Sequence, residues 1–397
     1  MNSKKVEADI VIIGGGVAGL WLLNRLRQRK LSVILLETGF LGGGQTHKSQ
    51  GIIHGGMKFA ATGFNKAATA VADMPSIWAD CLKGQGEINL ESVPILSDHQ
   101  YLWSPQSLAG KVAGFLAGIA MRTKVDALKP EQFPEIFRTP QFDGDVYAVP
   151  ELVLDVHALV RELVKPHQDV IFKINPMSEQ DIQLDESGRM TALMIRTPMT
   201  GSLKIKAQQY VFVAGAGNEV LFNRLKADLV AAQRRPLHMV YVKLPHSYTL
   251  FAHCLSMSST PRITITTHQA KDGSTVWYLG GNIAEVGIHR SSEEQIKAAK
   301  EELANLFPWL DFSSAQFGTC KIDRAEPMQP NGGRPDTCAV KVIHNMIVAW
   351  PTKLALAPKL ANEILSLIQS ENLQACCFDT RELRACPMPS FAQPVWE

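Results

Sequence analysis

Near the start of the chain an apolar run, Asp9-Ile10-Val11-Ile12-Ile13, passes straight into Gly14-Gly15-Gly16-Val17-Ala18-Gly19, and a second apolar run ends on a carboxylate at Glu37. The first run is too short for a helix and reads as a buried parallel strand. Gly14, Gly16 and Gly19 then fall at the G-x-G-x-x-G spacing. Gly14 permits the tight turn, Gly16 lets the backbone approach a pyrophosphate, and Gly19 lets the following helix pack on the strand. That helix, from about Val17 to Arg29, aims its N-terminal amides at the phosphates. Ser32 to Glu37 is the second strand, and its terminal acid lies about 20 residues past the glycines, where a ribose hydroxyl is expected. A carboxylate there repels a 2′-phosphate, which disfavours NADP. The joint pattern predicts an α/β fold of Rossmann type and commits the chain to a dinucleotide.

The chain has 397 residues, 46% hydrophobic and 20% charged, enough for two domains or one large discontinuous one. A net charge of +2 creates no strong field, which argues against a nucleic-acid partner. The basic clusters Lys4-Lys5, Arg25 to Lys30 and Arg234-Arg235 read as solvated surface. Seven cysteines with no C-x-x-C spacing fit a reducing, cytoplasmic compartment, and Cys376-Cys377 reads as two ordinary thiols. The first apolar segment is broken at once by glycines, so no secretory leader is expected. Ala109 to Met121 contains Lys111 and falls short of the ~20 residues a membrane span needs. It reads as a buried or interfacial helix, which leaves peripheral membrane contact open. No H-E-x-x-H, cysteine–histidine cluster or G-x-S-x-G elbow occurs, so neither a metal nor a serine nucleophile is expected.

Beyond Glu37 comes a long polar, glycine-rich passage, Gly39 to Gly56, of a kind that is usually functional inside a compact domain. Helical patterning is expected from about Phe64 to Leu82, over Ser107 to Met121, and over Lys129 to Phe133 with Pro130 in its first turn. Asn89 to Trp103 suggests short strands, Asp155 caps an amphipathic helix that follows it, and Val170 to Phe172 is a strand. A hairpin-like region spans Asp181 to Pro198. Gln209 to Gly217 is a further buried strand, ending on small residues as if beneath a ligand. Met239 to Leu244, Arg262 to Thr267 and Val276 to Leu279 then read as antiparallel, followed by a helix over Ser292 to Phe307. Asn345 to Trp350 returns to a strand, and Ala355 to Gln369 to a helix. Nucleotide-binding patterning at both ends implies a discontinuous cofactor domain, 1–88, 146–235 and 320–397, with 89–145 and 236–319 as an inserted antiparallel substrate or cap domain.

With these residues in place the chain resembles the glutathione-reductase-like flavoproteins of the D-amino-acid-oxidase superfamily, in an order that covers nearly its whole length. That resemblance implies FAD. Gln45-Thr46-His47-Lys48-Ser49-Gln50-Gly51-Ile52-Ile53-His54-Gly55-Gly56 is similar to the flavin-contacting loop of L-2-hydroxyglutarate oxidases, and His54-Gly55-Gly56-Met57-Lys58-Phe59 to the His-Gly-Gly-Leu-Arg-Tyr of FAD-dependent glycerol-3-phosphate dehydrogenases. Asp323-Arg324-Ala325-Glu326-Pro327 resembles the segment whose arginine holds a substrate anion, with Arg334 as a second basic residue. Thr352-Lys353-Leu354 resembles the Gly-Lys-Leu that opens the last helix beside the flavin ring. Two departures stand out: Trp350-Pro351-Thr352 replace glycines, and Ala325 replaces a proline.

The resemblance implies cofactor contacts from Gly14, Gly16, Val17, Ala18, Gly19, Glu37, Gln45, Thr46, Ser49, Gln50, Gly51, Ile53, Ala214, Gly215, Thr352, Lys353 and Leu354. Oxidation of a CH–OH group beside an anion is the leading reading. It needs a cation for the anion, for which Arg324 is chosen with Arg334 and Lys58 as helpers. It also needs a base, for which the histidines His54 and His238 are candidates, and Lys353 to stabilise charge on the reduced ring. Oxidation of a C–N bond in an amino acid, or a flavin-binding subunit without catalysis, are the alternatives. Oxygen, a quinone or a partner flavoprotein are all compatible electron acceptors.

Overall fold

The computed structural model describes residues 4–55, 71–105, 127–197, 201–225, 232–256, 260–330, 332–333, 335–368 and 378–397. Along the chain come β1 (Lys4–Ile13), α1 (Val17–Gln28) and β2 (Val33–Glu37), then α2 (Met74–Leu82), β3 (Ile95–Ser97) and β4 (Gln100–Pro105). The next stretch holds β5 (Gly144–Val149), β6 (Val153–Leu154), α3 (Val156–Val164), β7 (Ile171–Lys173), β8 (Ile182–Leu184), β9 (Met190–Thr197), β10 (Gly201–Phe212) and α4 (Glu219–Leu225). There follow β11 (Ala232–Lys243), β12 (Ala252–Cys254), β13 (Ile263–Gln269), β14 (Thr275–Gly280), α5 (Asn282–Val286) and α6 (Ser292–Leu306). The last elements are β15 (Gln316–Pro327), β16 (Ala339–Ile343), β17 (Met346–Trp350) and α7 (Ala357–Leu367).

Two large sheets organise most of these strands, while β3 and β6 pair separately. The first runs β16-β17-β10-β1-β2-β7, with β9 on β10 and β8 on β9. Its centre is parallel: β1 pairs in parallel with both β10 and β2, and β10 with β17. The uninterrupted apolar run of β1 follows from burial on both faces. Ile10 and Ile12 pack with Trp21, Leu159 and Leu360 from α1, α3 and α7, whereas Val11 and Ile13 pack with Phe212, Val348 and Leu193 on the other face. The second sheet, β15-β11-β14-β13-β12-β4-β5, is antiparallel except where β12 pairs with β4. Ala299, Leu303 and Leu306 of α6 cover it, packing against Val240, Ile265 and Leu279. A serine cap fixes the start of α6, with Ser291 Oγ accepting from the Glu294 N–H at 3.2 Å.

The expected elements are largely present, with differences that have physical causes. β1 starts at Lys4 rather than Asp9 because β10 supplies partners along its whole length, from Leu203 opposite Lys4 to Phe212 opposite Ile13. Helical patterning from Phe64 is observed from Met74, the residues 56–70 lying outside the described ones, as does Ser107 to Met121. The Lys129 to Phe133 segment closes only a 3₁₀ turn at Pro130–Gln132. β15 belongs wholly to the second sheet, so its residues 320–327 pair with β11 and not with the parallel strands. Among the described residues no helix is long and apolar enough to cross a membrane.

Candidate active site

The carboxyl ends of β1 and β10 meet at Gly14 and Ala214, the place where open α/β sheets bind ligands. A cavity of about 810 Å³ opens there and extends to the second sheet. Gly14 has φ +120°, and a Cβ on it would lie 2.7 Å from the Val213 carbonyl oxygen; on Gly19 it would lie 2.0 Å from the Gly14 oxygen. Gly19 is therefore a helix–strand packing residue, and it does not line the cavity, whereas Gly14, Gly16, Val17 and Ala18 do. Thr46 Oγ1 accepts the Val17 N–H at 3.2 Å, tying the second glycine-rich passage to the start of α1. Glu37 sits at the end of β2 on the cavity, its carboxylate accepting the N–H groups of Gly15 and Gly39, each at 2.6 Å.

The passage after Glu37 does reach the cavity. Gln45, Thr46, Ser49, Gln50 and His54 line it, and Gln50 Nε2 donates to the Tyr278 carbonyl at 2.9 Å, anchoring the loop to β14. Two of the expected contacts, Gly51 and Ile53, are not among the residues lining the cavity. Ile53 is fully buried in the apolar core, and Gly51 is required because a Cβ at its φ of +75° would meet the Leu154 carbonyl oxygen at 2.2 Å. Both serve the backbone pairing of this loop with residues 152–154, in which the Ile53 N–H donates to Leu152 and the Leu154 N–H to Gly51. That pairing brings His54 against Glu151: His54 Nδ1 lies 3.0 Å from Glu151 Oε2, and Oε1 accepts the Gly55 N–H at 3.0 Å. His253 of β12 stacks on His54 with ring centroids 6.1 Å apart. Among the described residues these three form the one histidine–carboxylate group whose ligating atoms all lie within 4.8 Å of one another.

The opposite wall comes from β11 and β15. Arg235 and Arg324 are directly paired across these strands, and both line the cavity. Like charges at one register position repel, and carboxylates relieve them here. Arg235 Nη1 lies 3.1 Å from Glu326 Oε2, and Glu285 Oε1 lies 3.8 Å from Arg235 and 4.0 Å from Arg324. Arg324 Nε also donates to the Arg235 carbonyl at 2.9 Å. Arg235 was expected on a solvated surface beside Arg234. Strand alternation separates the pair: Arg234 faces outward to Glu219 and Asp323, and Arg235 faces the cavity. The alternation rule would have found it had the strand been read through Pro236, where β14 does not yet pair with β11 and a missing N–H is tolerated.

His238, also on β11, the second candidate base, stands apart from the cavity lining. It is 1% exposed, its Nδ1 lies 3.0 Å from the Gly287 carbonyl, and it does not line the cavity. Lys58 and Arg334 lie outside the described residues. At the third side, Thr352, Lys353 and Leu354 line the cavity together with Ala214 and Gly215. Lys353 is 8% exposed, donates to the Asp336 carbonyl at 3.3 Å, and precedes a 3₁₀ turn, Leu354–Leu356, that leads into α7. Thr352 has φ +59°, a left-handed conformation costly for a β-branched residue. Burial lowers the pKa of His47 to about 4, so the histidine beside Lys48 is neutral in the loop.

A dinucleotide fits these walls. The glycine cradle leaves room for close backbone approach, and two buried polar atoms on cavity residues, Ser49 Oγ and the Trp350 indole nitrogen, have no hydrogen-bond partner among the described residues. Residues 9–345 match the family model described as FAD dependent oxidoreductase. The chain belongs to this family of FAD-dependent oxidoreductases. The flavoprotein is 43% identical over 396 residues to a probable FAD-dependent oxidoreductase of Pseudomonas aeruginosa, covering 99% of this chain and 98% of that one. The crystal structure of the Pseudomonas FAD-dependent oxidoreductase superposes with a TM-score of 0.83, at 40% identity over 99% of this chain and 98% of that one. More remote likenesses share the fold: iminodiacetate oxidase from a Chelativorans species, TM-score 0.66 at 14% identity over 95% and 98% of the two chains, and L-α-glycerophosphate oxidase from Mycoplasma pneumoniae, TM-score 0.65 at 17% over 91% and 94%. The cofactor of this flavoprotein is FAD.

Proposed function

We propose that the flavoprotein oxidises the CH–OH group of a small anionic substrate of the 2-hydroxy-acid or glycerol-phosphate type. FAD, when bound, supplies the acceptor for the hydride. In this reading the first sheet with residues 1–88, 146–235 and the C-terminal strands and helix forms the cofactor domain, and the second sheet carries the substrate. Gly14, Gly16 and the start of α1 hold the pyrophosphate, Glu37 a ribose, and Lys353 the anionic edge of the ring. Arg324, with Arg235, is the anion clamp, since a guanidinium binds carboxylate or phosphate bidentately. His54 takes the hydroxyl proton.

The same-face pair of Arg235 and Arg324 on the cavity wall is the observation that carries this reading. Two guanidinium groups at one register position are hard to explain by stability alone. A specific feature also favours a second reading, oxidation of a C–N bond. Glu285 lies on the cavity against both arginines and offers a carboxylate to an ammonium group, and iminodiacetate oxidase is among the proteins of similar fold. Anaerobic mixing of the FAD-loaded protein with hydroxy acids, glycerol 3-phosphate and amino acids separates the readings. Bleaching of the flavin band by hydroxy compounds alone is expected, and bleaching by amino acids alone would replace the first reading with the second.

A further inference from the structure

One buried acid behind the wall of this cavity has no part in the scheme above. Glu151, in the connection between β5 and β6, is 3% exposed. Its two oxygens are divided between two groups of one short segment: Oε1 takes the Gly55 N–H and Oε2 faces His54 Nδ1, each at 3.0 Å. An ionised carboxylate is acceptor-only, so a hydrogen bond at Nδ1 requires that this nitrogen carry the proton. The backbone pairing of residues 51–53 with 152–154 sets both side chains in place, although they are 97 positions apart in sequence. His54 lines the cavity while Glu151 does not. The carboxylate thus stands behind the imidazole, and Nε2 is the nitrogen turned away from it.

We propose that Glu151 is a positioning residue that fixes His54 in the Nδ1–H tautomer and so makes Nε2 the proton acceptor. The inference rests on the assignment of His54 as base and deepens it. In the step it serves, the substrate O–H bond breaks and an Nε2–H bond forms, the freed O–H electron pair becomes the second carbon–oxygen bond, and the C–H bond breaks with its pair leaving as hydride, which FAD, when bound, would accept. The imidazolium so formed is balanced by Glu151, as in other carboxylate–histidine pairs, where the wrong tautomer costs orders of magnitude in rate. The titratable groups shown against His54 are Glu151 from the β5–β6 connection and His253 from β12. His253 Nδ1 lies 2.8 Å from Thr264 Oγ1, and its ring stacks on that of His54 with centroids 6.1 Å apart.

The test is ¹⁵N–¹H NMR of the FAD-loaded protein labelled at histidine, with the His54 signals assigned by their loss in H54N. The proton is expected on Nδ1 of His54 in the unmodified protein, a readout that needs no Glu151 variant and holds even where such a variant misfolds. In E151Q a single acceptor oxygen faces two donors, so the His54 tautomer signal is expected to change. Flavin reduction by the substrate found in the panel should slow about 10²-fold or more, with its pH profile displaced and KM little altered; E151D restores part of the rate. A proton on Nε2 in the unmodified protein, or a His54 spectrum unchanged by E151Q, overturns the positioning role and leaves the base untouched. Flavin that stays attached through His54 after acid precipitation also overturns it. Flavin reduction undiminished in H54N would instead remove the base assignment itself.

Discussion

The two ends of the cavity are built by different means. At the cofactor end, β1, the glycines, α1 and β2 form one continuous segment, and the wall is made of backbone and absent side chains. At the end proposed here for the substrate, two charged pairs join distant parts of the chain: Arg235 meets Arg324 across 89 positions and His54 meets Glu151 across 97. The first end is a rigid solution to a steric problem; the second is a balance of charges held in register by a sheet. Damage to the first should remove cofactor and fold together, and damage to the second should leave a flavoprotein with altered chemistry or local stability.

The largest effect is expected for Gly19→Val, which places a Cβ 2.0 Å from the Gly14 oxygen and forces α1 off β1. A loss above ~4 kcal/mol and of bound flavin is predicted, read by thermal unfolding and by absorbance of the purified protein. At the substrate end, Arg235→Ala strands the buried Glu326 and should cost about 3–5 kcal/mol in urea titrations. Its neighbour Arg234→Ala, which loses only exposed ion pairs, should cost less than about 1 kcal/mol. Equal losses for the two arginines would erase the distinction between outward and cavity-facing positions on β11.

The polar loop and the second sheet also set a pH response. Burial lowers the pKa of both His47 and His268 from 6.5 to about 4. In the unfolded chain these groups take up protons at higher pH than in the folded one. Their contribution is therefore complete above pH 6.5 and lost progressively as pH falls toward 4. The melting temperature is expected to decline over that window by a few degrees, and less in the double variant H47Q/H268Q; a decline identical in the two would contradict it.

The smallest effect concerns Thr352. Its φ of +59° is strained for a β-branched residue, while its hydroxyl donates to the Thr337 carbonyl at 3.1 Å. Relief of strain and loss of that bond nearly offset, so Thr352→Gly should change stability by less than about 1 kcal/mol, in the stabilising direction. A clear destabilisation would show that the threonine is locked in place by its surroundings.

What could be read from the chain follows the same division. The Gly14-to-Glu37 segment was legible because its chemistry is local: spacing alone dictates the turn, the helix start and the acid. Gln45 to His54 was legible as a loop with a purpose, yet Gly51 and Ile53 serve backbone pairing and core, a distinction that depends on Leu152 and Leu154 far downstream. Arg235 was misjudged because strand alternation was not carried through Pro236, and the burial of His238 was not legible because a histidine on a strand can equally point into the core of its sheet. Glu151 carries no local signal at all; only the tertiary pairing delivers it to His54.

The most direct measurement is the anaerobic absorbance of the FAD-loaded protein on mixing with hydroxy acids, glycerol 3-phosphate and amino acids. Loss of the oxidised flavin band with an anionic hydroxy compound, and not with its amino counterpart, is the predicted result. A flavin reduced only by amino compounds, or by none of the panel, would contradict the assignment of the Arg235–Arg324 wall and His54 to CH–OH oxidation.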